Sequence, residues 1–232
     1  MSGSEPAAAT AIWILNGWAA SPAAWSLCGF RRDRIFSYVD ILHGVARRAI
    51  VGIRRVVLVG WSMGGCHALE LASEFPEKIA GLVLVAATPR MPEDPATGWV
   101  GLSRRRIDAL ERAGRTDSGA GCFDSPAGKP NPYMRDNDEE LARGIGYLRE
   151  TDVRERLCKA AGRLVCPVHI FHSERDGIVR SANAAYLKSV LPQAEVSIVP
   201  GGEHALSICI PEAVDAAVRN CCAVEEARVR HG

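Results

Sequence analysis

Short apolar runs rich in β-branched residues recur along this chain, and longer stretches of helical character separate them. The runs are Ala11–Leu15, Ile35–Val39, Val56–Val59, Leu82–Ala86, Val168–Phe171 and Glu195–Val199. Most are apolar at nearly every position and are soon followed by Gly, Asp, Ser or Pro. Strands of a parallel sheet have this character when both faces are covered, because neither face alternates to water. Helical stretches fall between them at about Met63–Phe75, Ser181–Leu191 and Pro211–Cys222, with Ser181 placed to cap the second and Pro211 suited to the first turn of the third. The alternation predicts an α/β fold: a mostly parallel sheet with helices on both faces.

A chain of 232 residues suits one large domain of this kind. Its 28 Lys and Arg against 27 Asp and Glu leave a net charge of +1, which argues against a dedicated nucleic-acid binder. No apolar run is long enough to span a membrane. Met1–Thr10 has no basic residue before an apolar core, so no secretory signal is expected and a cytoplasmic protein is. Eight cysteines are scattered without a CxxC pair, which predicts free thiols rather than disulfides or structural zinc.

The rhythm breaks between about Thr88 and Arg156, where charges, Gly and Pro accumulate. Two helix-like pieces stand out, near Leu102–Ala113 and Asn137–Tyr147, around a Gly- and Pro-rich middle at about Thr116–Pro132. This predicts a helical lid, residues 88–156, inserted into a core made of 1–87 and 157–232. A disordered linker is the alternative.

Gly60-Trp61-Ser62-Met63-Gly64-Gly65 follows the third run and opens a helix. Gly-x-Ser-x-Gly between strand and helix is a nucleophile elbow: the tight turn lifts the serine hydroxyl above the strand ends, and the glycines let backbone and helix approach. The helix also directs its N-terminal N–H groups at the reacting oxygen. A serine needs a base to take its proton. Of the six histidines, His204 follows the last strand, in a loop at its carboxyl end, where open α/β sheets gather their sites. His172, which ends a strand, is the weaker candidate; His169 lies within that strand, and His67 should point away from the strand tip. The orienting acid should come from the preceding strand end, and Asp176, followed by Gly177 and two apolar residues, fits that role, with Glu174 as the fallback. An oxyanion formed at Ser62 needs two backbone donors. The N–H of Met63 is one; the N–H of Trp18, in the loop after the first strand, is the other, with Gly17 permitting close approach.

On these residues the chain resembles the α/β-hydrolases, and among them the carboxylesterases that remove the methyl ester from pimeloyl-acyl carrier protein in biotin synthesis. The resemblance is carried by Asn16-Gly17-Trp18 with Trp25 beyond, the Gly60–Gly65 elbow, Glu74–Ile79, Leu148–Arg154, Asp176–Val179 and Glu203-His204-Ala205. It implies Ser62 as nucleophile, Asp176 as acid, His204 as base, Trp18 and Met63 as oxyanion donors, and no metal or organic cofactor. Asn16 stands where such esterases commonly have His. The resemblance further implies an acyl carrier protein as partner; charge and hydropathy argue against nucleic acid or membrane, and the oligomeric state is open with a monomer favoured. Carrier proteins are acidic, and the predicted lid helix carries Arg104, Arg105, Arg106, Arg112 and Arg115 against Asp108 and Glu111; Arg104, Arg105 and Arg112 are the candidate docking residues. Asp136, Asp138, Glu139 and Glu140 form an opposing acidic cluster, and a solvated helix face is the plainer reading of the arginines. A general short-chain carboxylesterase, a carbon–carbon bond hydrolase and a non-catalytic binding protein on the same scaffold are the rival functions.

Overall fold

The computed structural model describes residues 10–115, 128–133 and 137–231. Six parallel strands form its sheet: β1 (Ala11–Leu15), β2 (Arg34–Phe36), β3 (Val56–Trp61), β4 (Ile79–Val85), β5 (Val168–Ser173) and β6 (Glu195–Val199), in the order β2-β1-β3-β4-β5-β6. The helices described are α1 (Tyr38–Leu42), α2 (Val45–Val51), α3 (Met63–Glu74), α4 (Arg104–Arg115), α5 (Asp138–Glu150), α6 (Arg154–Ala160), α7 (Ala182–Val190) and α8 (Pro211–His231).

Alternate side chains of the inner strands divide between two cores, one on each face. Leu58, Leu82, Leu84 and Ile170 pack with Leu69 and Leu71 of α3 and Leu187 of α7, whereas Val57, Val59, Val83 and Val85 pack with Val214, Val218 and Cys221 of α8. Both faces of β3 and β4 are buried, as the apolar runs require. The edge strand β6 departs from that expectation: Val196 and Ile198 are exposed, and Glu195 and Ser197 on its other face are too, so neither face of this strand is covered.

The second strand stops short of the predicted Val39. Ser37 accepts from the Asp40 N–H while the Asp40 carboxylate accepts from the Ser37 N–H, and this reciprocal cap starts α1 at Tyr38. Ser181 does not cap α7; its backbone is already helical and its side chain makes no capping bond. The last helix runs nine residues beyond the predicted Cys222, to His231.

Between β4 and β5 the chain leaves the sheet and builds α4, α5 and α6. Ile107 and Leu110 of α4 and Leu141, Ile145 and Leu148 of α5 are buried in the core cluster that contains α3, so these helices lie over the sheet rather than apart from it. The predicted loose middle of this segment falls largely on residues 116–127, outside the described residues.

The strand order places the site. The chain passes from β1 outward to β2, then crosses back to β3 on the other side of β1, so the order reverses between β1 and β3. Ligands in open α/β sheets bind at the carboxyl ends of the strands at such a reversal. Leu15 pairs with Gly60, which brings the loops that follow β1 and β3 side by side.

Candidate active site

Ser62 sits at φ 55°, ψ −117°, a left-handed φ that a residue with a Cβ adopts only under strain. The turn is held from both sides. The Ser62 N–H donates to Val85 O at 3.0 Å, and its carbonyl accepts from Cys66 N–H at 3.1 Å. A side chain on Gly64 would run into the Leu15 carbonyl, so this glycine is what allows α3 to abut the end of β1.

The three residues expected to act together are brought together. His204 Nε2 lies 2.9 Å from Ser62 Oγ, and His204 Nδ1 lies 2.8 Å from Asp176 Oδ2. Asp176 is buried, and its other oxygen, Oδ1, accepts from the N–H groups of Ile178 and Val179 at 2.8 Å each. Burial opposes ionisation of Asp176, but the facing His204 and those two N–H donors outweigh it and hold the carboxyl below the ordinary aspartate range. An ionised Asp176 orients the imidazole so that its free nitrogen faces the hydroxyl. This geometry can withdraw a proton from Ser62 as the oxygen attacks an electrophile.

The other acids and histidines lie elsewhere. Glu174 bonds to the Gly201 N–H at 3.3 Å and supports the loop before His204. His172 is fully buried with Nε2 on Ala87 O at 2.9 Å, and burial keeps its pKa below the ordinary histidine value. His169 faces Asn220 of α8, 3.1 Å away, and His43 ends α1. His67 points away from Ser62, toward Glu70.

Above Ser62 is a mostly apolar cavity of ≈ 90 Å³. Trp18 and Trp61 line it from the core, and Leu110, Ile145 and Leu148 line it from α4 and α5. Glu203, exposed, stands in the same lining next to His204. Trp18 is therefore a wall of this cavity, and its N–H belongs to the loop that flanks Ser62; Met63 opens α3 directly after Ser62.

Several positioning contacts had no sequence signal. Trp61 Nε1 donates to the His204 carbonyl at 2.9 Å, so the residue before the serine also holds the histidine loop. Asn16 Oδ1 accepts from Trp25 Nε1 at 2.6 Å, which links two residues of the resemblance and gives Asn16 a structural task. From α4, Arg106 Nη2 donates to Gly177 O at 3.0 Å and ties that helix to the Asp176 turn. Arg149 of α5 meets Asp108 at 2.5 Å and Glu111 at 2.8 Å, so it bridges the two acids of α4 from the neighbouring helix. Arg104, Arg105 and Arg112 are exposed. Among the described residues no group of three or more His, Cys, Asp or Glu side chains could hold a metal ion, and no helix is long and apolar enough to cross a membrane.

A parallel sheet reversing at β1 and β3, with a strained serine at the reversal and a histidine facing it, defines a hydrolase-type site. The family model for the alpha/beta hydrolase fold matches residues 16–208, and the chain belongs to that family. It is 27% identical over 201 residues to a protein of Cronobacter sakazakii named as the carbamate hydrolase RutD, covering 76% of this chain and 69% of the relative. It is 29% identical over 164 residues to the pimeloyl-[acyl-carrier protein] methyl ester esterase of Chromobacterium violaceum, covering 64% of this chain and 62% of that one. To the esterase of the same name from Edwardsiella ictaluri it is 27% identical over 246 residues, covering 88% and 90%. An esterase from Exiguobacterium antarcticum superposes with a TM-score of 0.71 over 92% of each chain at 16% identity, a likeness of fold alone.

Proposed function

We propose that this protein is a serine carboxylesterase that hydrolyses the methyl ester of pimeloyl-acyl carrier protein methyl ester, releasing methanol. Ser62 attacks the ester carbonyl while His204 takes its proton, and Asp176 stabilises the imidazolium. The backbone N–H groups of Met63 and Trp18 hold the oxyanion. His204 returns the proton to the departing methanol; water activated in the same way then frees the acid from Ser62. These steps need no metal or organic cofactor.

One observation carries the choice of substrate: α4 forms part of the cavity wall through Leu110 and presents Arg104, Arg105 and Arg112 to solvent. Arg149 of α5, which bridges Asp108 and Glu111, adds a further positive charge beside them. A basic surface at the rim suits an acidic carrier, and a cavity of ≈ 90 Å³ accepts the ester end of an acyl chain whose remainder leads outward. For scale, a buried apolar cavity of ~150 Å³ can bind benzene.

The test is methanol release from pimeloyl-carrier methyl ester beside hydrolysis of p-nitrophenyl acetate. Reversing Arg105 and Arg112 to Glu should lower kcat/KM for the carrier substrate about tenfold or more, because rim charges act on encounter. It should leave the free ester within about twofold, and added salt should slow only the carrier reaction. Equal effects on both substrates would reduce these arginines to a solvated helix face and leave a general short-chain carboxylesterase. The likeness to the carbamate hydrolase, together with the small cavity, supports a second reading in which a small carbamate is cleaved; ammonia release without methanol release would favour it.

A further inference from the structure

The lid helix α5 does more than roof the cavity. Its Leu141 carbonyl accepts a hydrogen bond from Trp18 Nε1 at 3.0 Å. One turn on, Gly144 presents a bare backbone to the same indole: a Cβ there would overlap Trp18 Cδ1 and lie 2.9 Å from Trp18 Nε1. Tyr38 Cδ2 lies 3.4 Å from the same point. The helix is itself anchored to the nucleophile helix at its next turn. Tyr147 donates its hydroxyl to Glu70 Oε2 of α3 at 2.5 Å, and Glu70 also meets His67 and Arg156. The helix therefore bridges two elements: the loop carrying the Trp18 N–H and the helix whose first N–H belongs to Met63.

We propose that α5 is the positioning element of the oxyanion hole: by gripping the Trp18 indole between Leu141 and Gly144 it fixes the direction of the Trp18 peptide N–H relative to α3. This rests on the reading of Trp18 and Met63 as the oxyanion donors. The loop needs such a support because it carries its own strain. Ala19, directly after Trp18, sits at φ 52°, a conformation that a residue with a Cβ leaves unless its neighbours hold it. The indole is the long lever by which a packed helix can hold that peptide, and a donor that is already oriented loses no free energy to reorganisation when the charge forms.

The test compares Gly144→Ala and Trp18→Phe with Gly146→Ala, a change on the same helix whose added Cβ meets nothing within 4 Å. Rates are measured on p-nitrophenyl acetate and butyrate. Affinity is measured for a trifluoromethyl ketone, to which Ser62 Oγ adds at the carbonyl carbon, passing its proton to His204 and leaving the oxyanion in the hole. Gly144→Ala should lower kcat about 10- to 100-fold, by the same factor for both esters, with KM within about twofold and the ketone weakened in parallel. Trp18→Phe keeps an apolar ring and the peptide N–H but loses the indole bond; a kcat loss of about tenfold is expected. Gly146→Ala should match the wild type. Should Gly144→Ala not fold, Trp18→Phe decides alone. Wild-type kcat and ketone affinity in the two variants would overturn the inference. So would a loss that lies in KM and grows with acyl length, since that would mark α5 as a pocket wall only. The hydrolase reading is checked separately: fluorophosphonate labelling that Ser62→Ala abolishes sustains it whatever Gly144 shows, and an active Ser62→Ala variant would remove it.

Discussion

His204 meets Asp176 at 2.8 Å and His67 meets Glu70 at 3.1 Å, yet the two pairs stand in different surroundings. In the first, the remaining imidazole nitrogen faces Ser62 Oγ at a cavity. The His67 Nε2 is enclosed without a hydrogen-bond partner among the described residues, and the Glu70 carboxylate is occupied by Tyr147 and Arg156. The pairs also differ in origin. Asp176 and His204 come from loops beyond two strand ends, whereas His67 and Glu70 are three apart on one helix. A histidine beside a carboxylate is therefore no mark of chemistry by itself. What separates the two is the third partner, a hydroxyl at the strand ends in one case and a cross-helix phenol in the other.

That contrast can be broken most severely at Ser62. Ser62→Ala should lower ester turnover by about 10⁴–10⁶ without moving the melting temperature, and near-wild-type turnover of the purified variant would end the assignment. Asp176→Asn and His204→Ala should each cost several orders of magnitude, and the double variant should be hardly slower than His204→Ala, because groups that act as one unit are not additive. Independent, multiplying losses would show that the 2.8 Å contact is not functional.

The second pair should show chiefly in stability, since it meets Ser62 at no point and bears on the site only through α5. Burial opposes ionisation of Glu70, but the bonds from His67, Tyr147 and Arg156 bring its pKa down from 4.5 to about 2. A folded-state pKa below the unfolded one contributes stability that is full above the unfolded value and lost as pH falls through the folded one. At 1.36 kcal/mol for each pH unit of difference, the contribution near neutral pH is on the order of 3 kcal/mol. Glu70→Gln should be less stable than wild type by about that much at pH 6, measured by denaturant unfolding, and the gap should shrink as pH is lowered from about 4.5 toward 2. A gap independent of pH would assign the effect to packing. In contrast to the triad variants, His67→Gln should leave turnover within about twofold, since His67 touches neither Ser62 nor its cavity.

The smallest expected effect sharpens the same contrast within α5. Gly146→Ala adds a Cβ into open space and should stabilise the protein by about 0.5–1 kcal/mol, through the lost backbone freedom of the unfolded chain. Unchanged activity beside that gain would separate helix stability from the grip at Gly144.

The residues that the structure brings together at Ser62 were legible in the residue order. A β-branched run ending in Gly-Trp-Ser-Met-Gly-Gly is a local instruction, because strand, turn and helix are encoded by neighbours in sequence. The rule that sites gather at strand carboxyl ends then singled out Asp176 and His204. Other features were not legible. Nothing local shows that Tyr147 reaches Glu70, that Trp61 holds the His204 carbonyl, or that Arg149 bridges Asp108 and Glu111. Ser181 looked like a cap by residue type alone, and the exposure of β6 follows from its place at the sheet edge rather than from its composition.

The sequence by itself determined the α/β class, the elbow at Ser62 and the loops that carry the other two residues, because periodicity, turn chemistry and order along the chain are short-range properties. The tertiary structure decided the rest: which histidine faces a hydroxyl, how little room lies above it, and which lid residues grip the core. Those depend on how the helices of the insertion pack across the sheet. A shift of a few ångströms there makes or breaks a hydrogen bond between residues as far apart in sequence as Trp18 and Leu141 without altering any local signal.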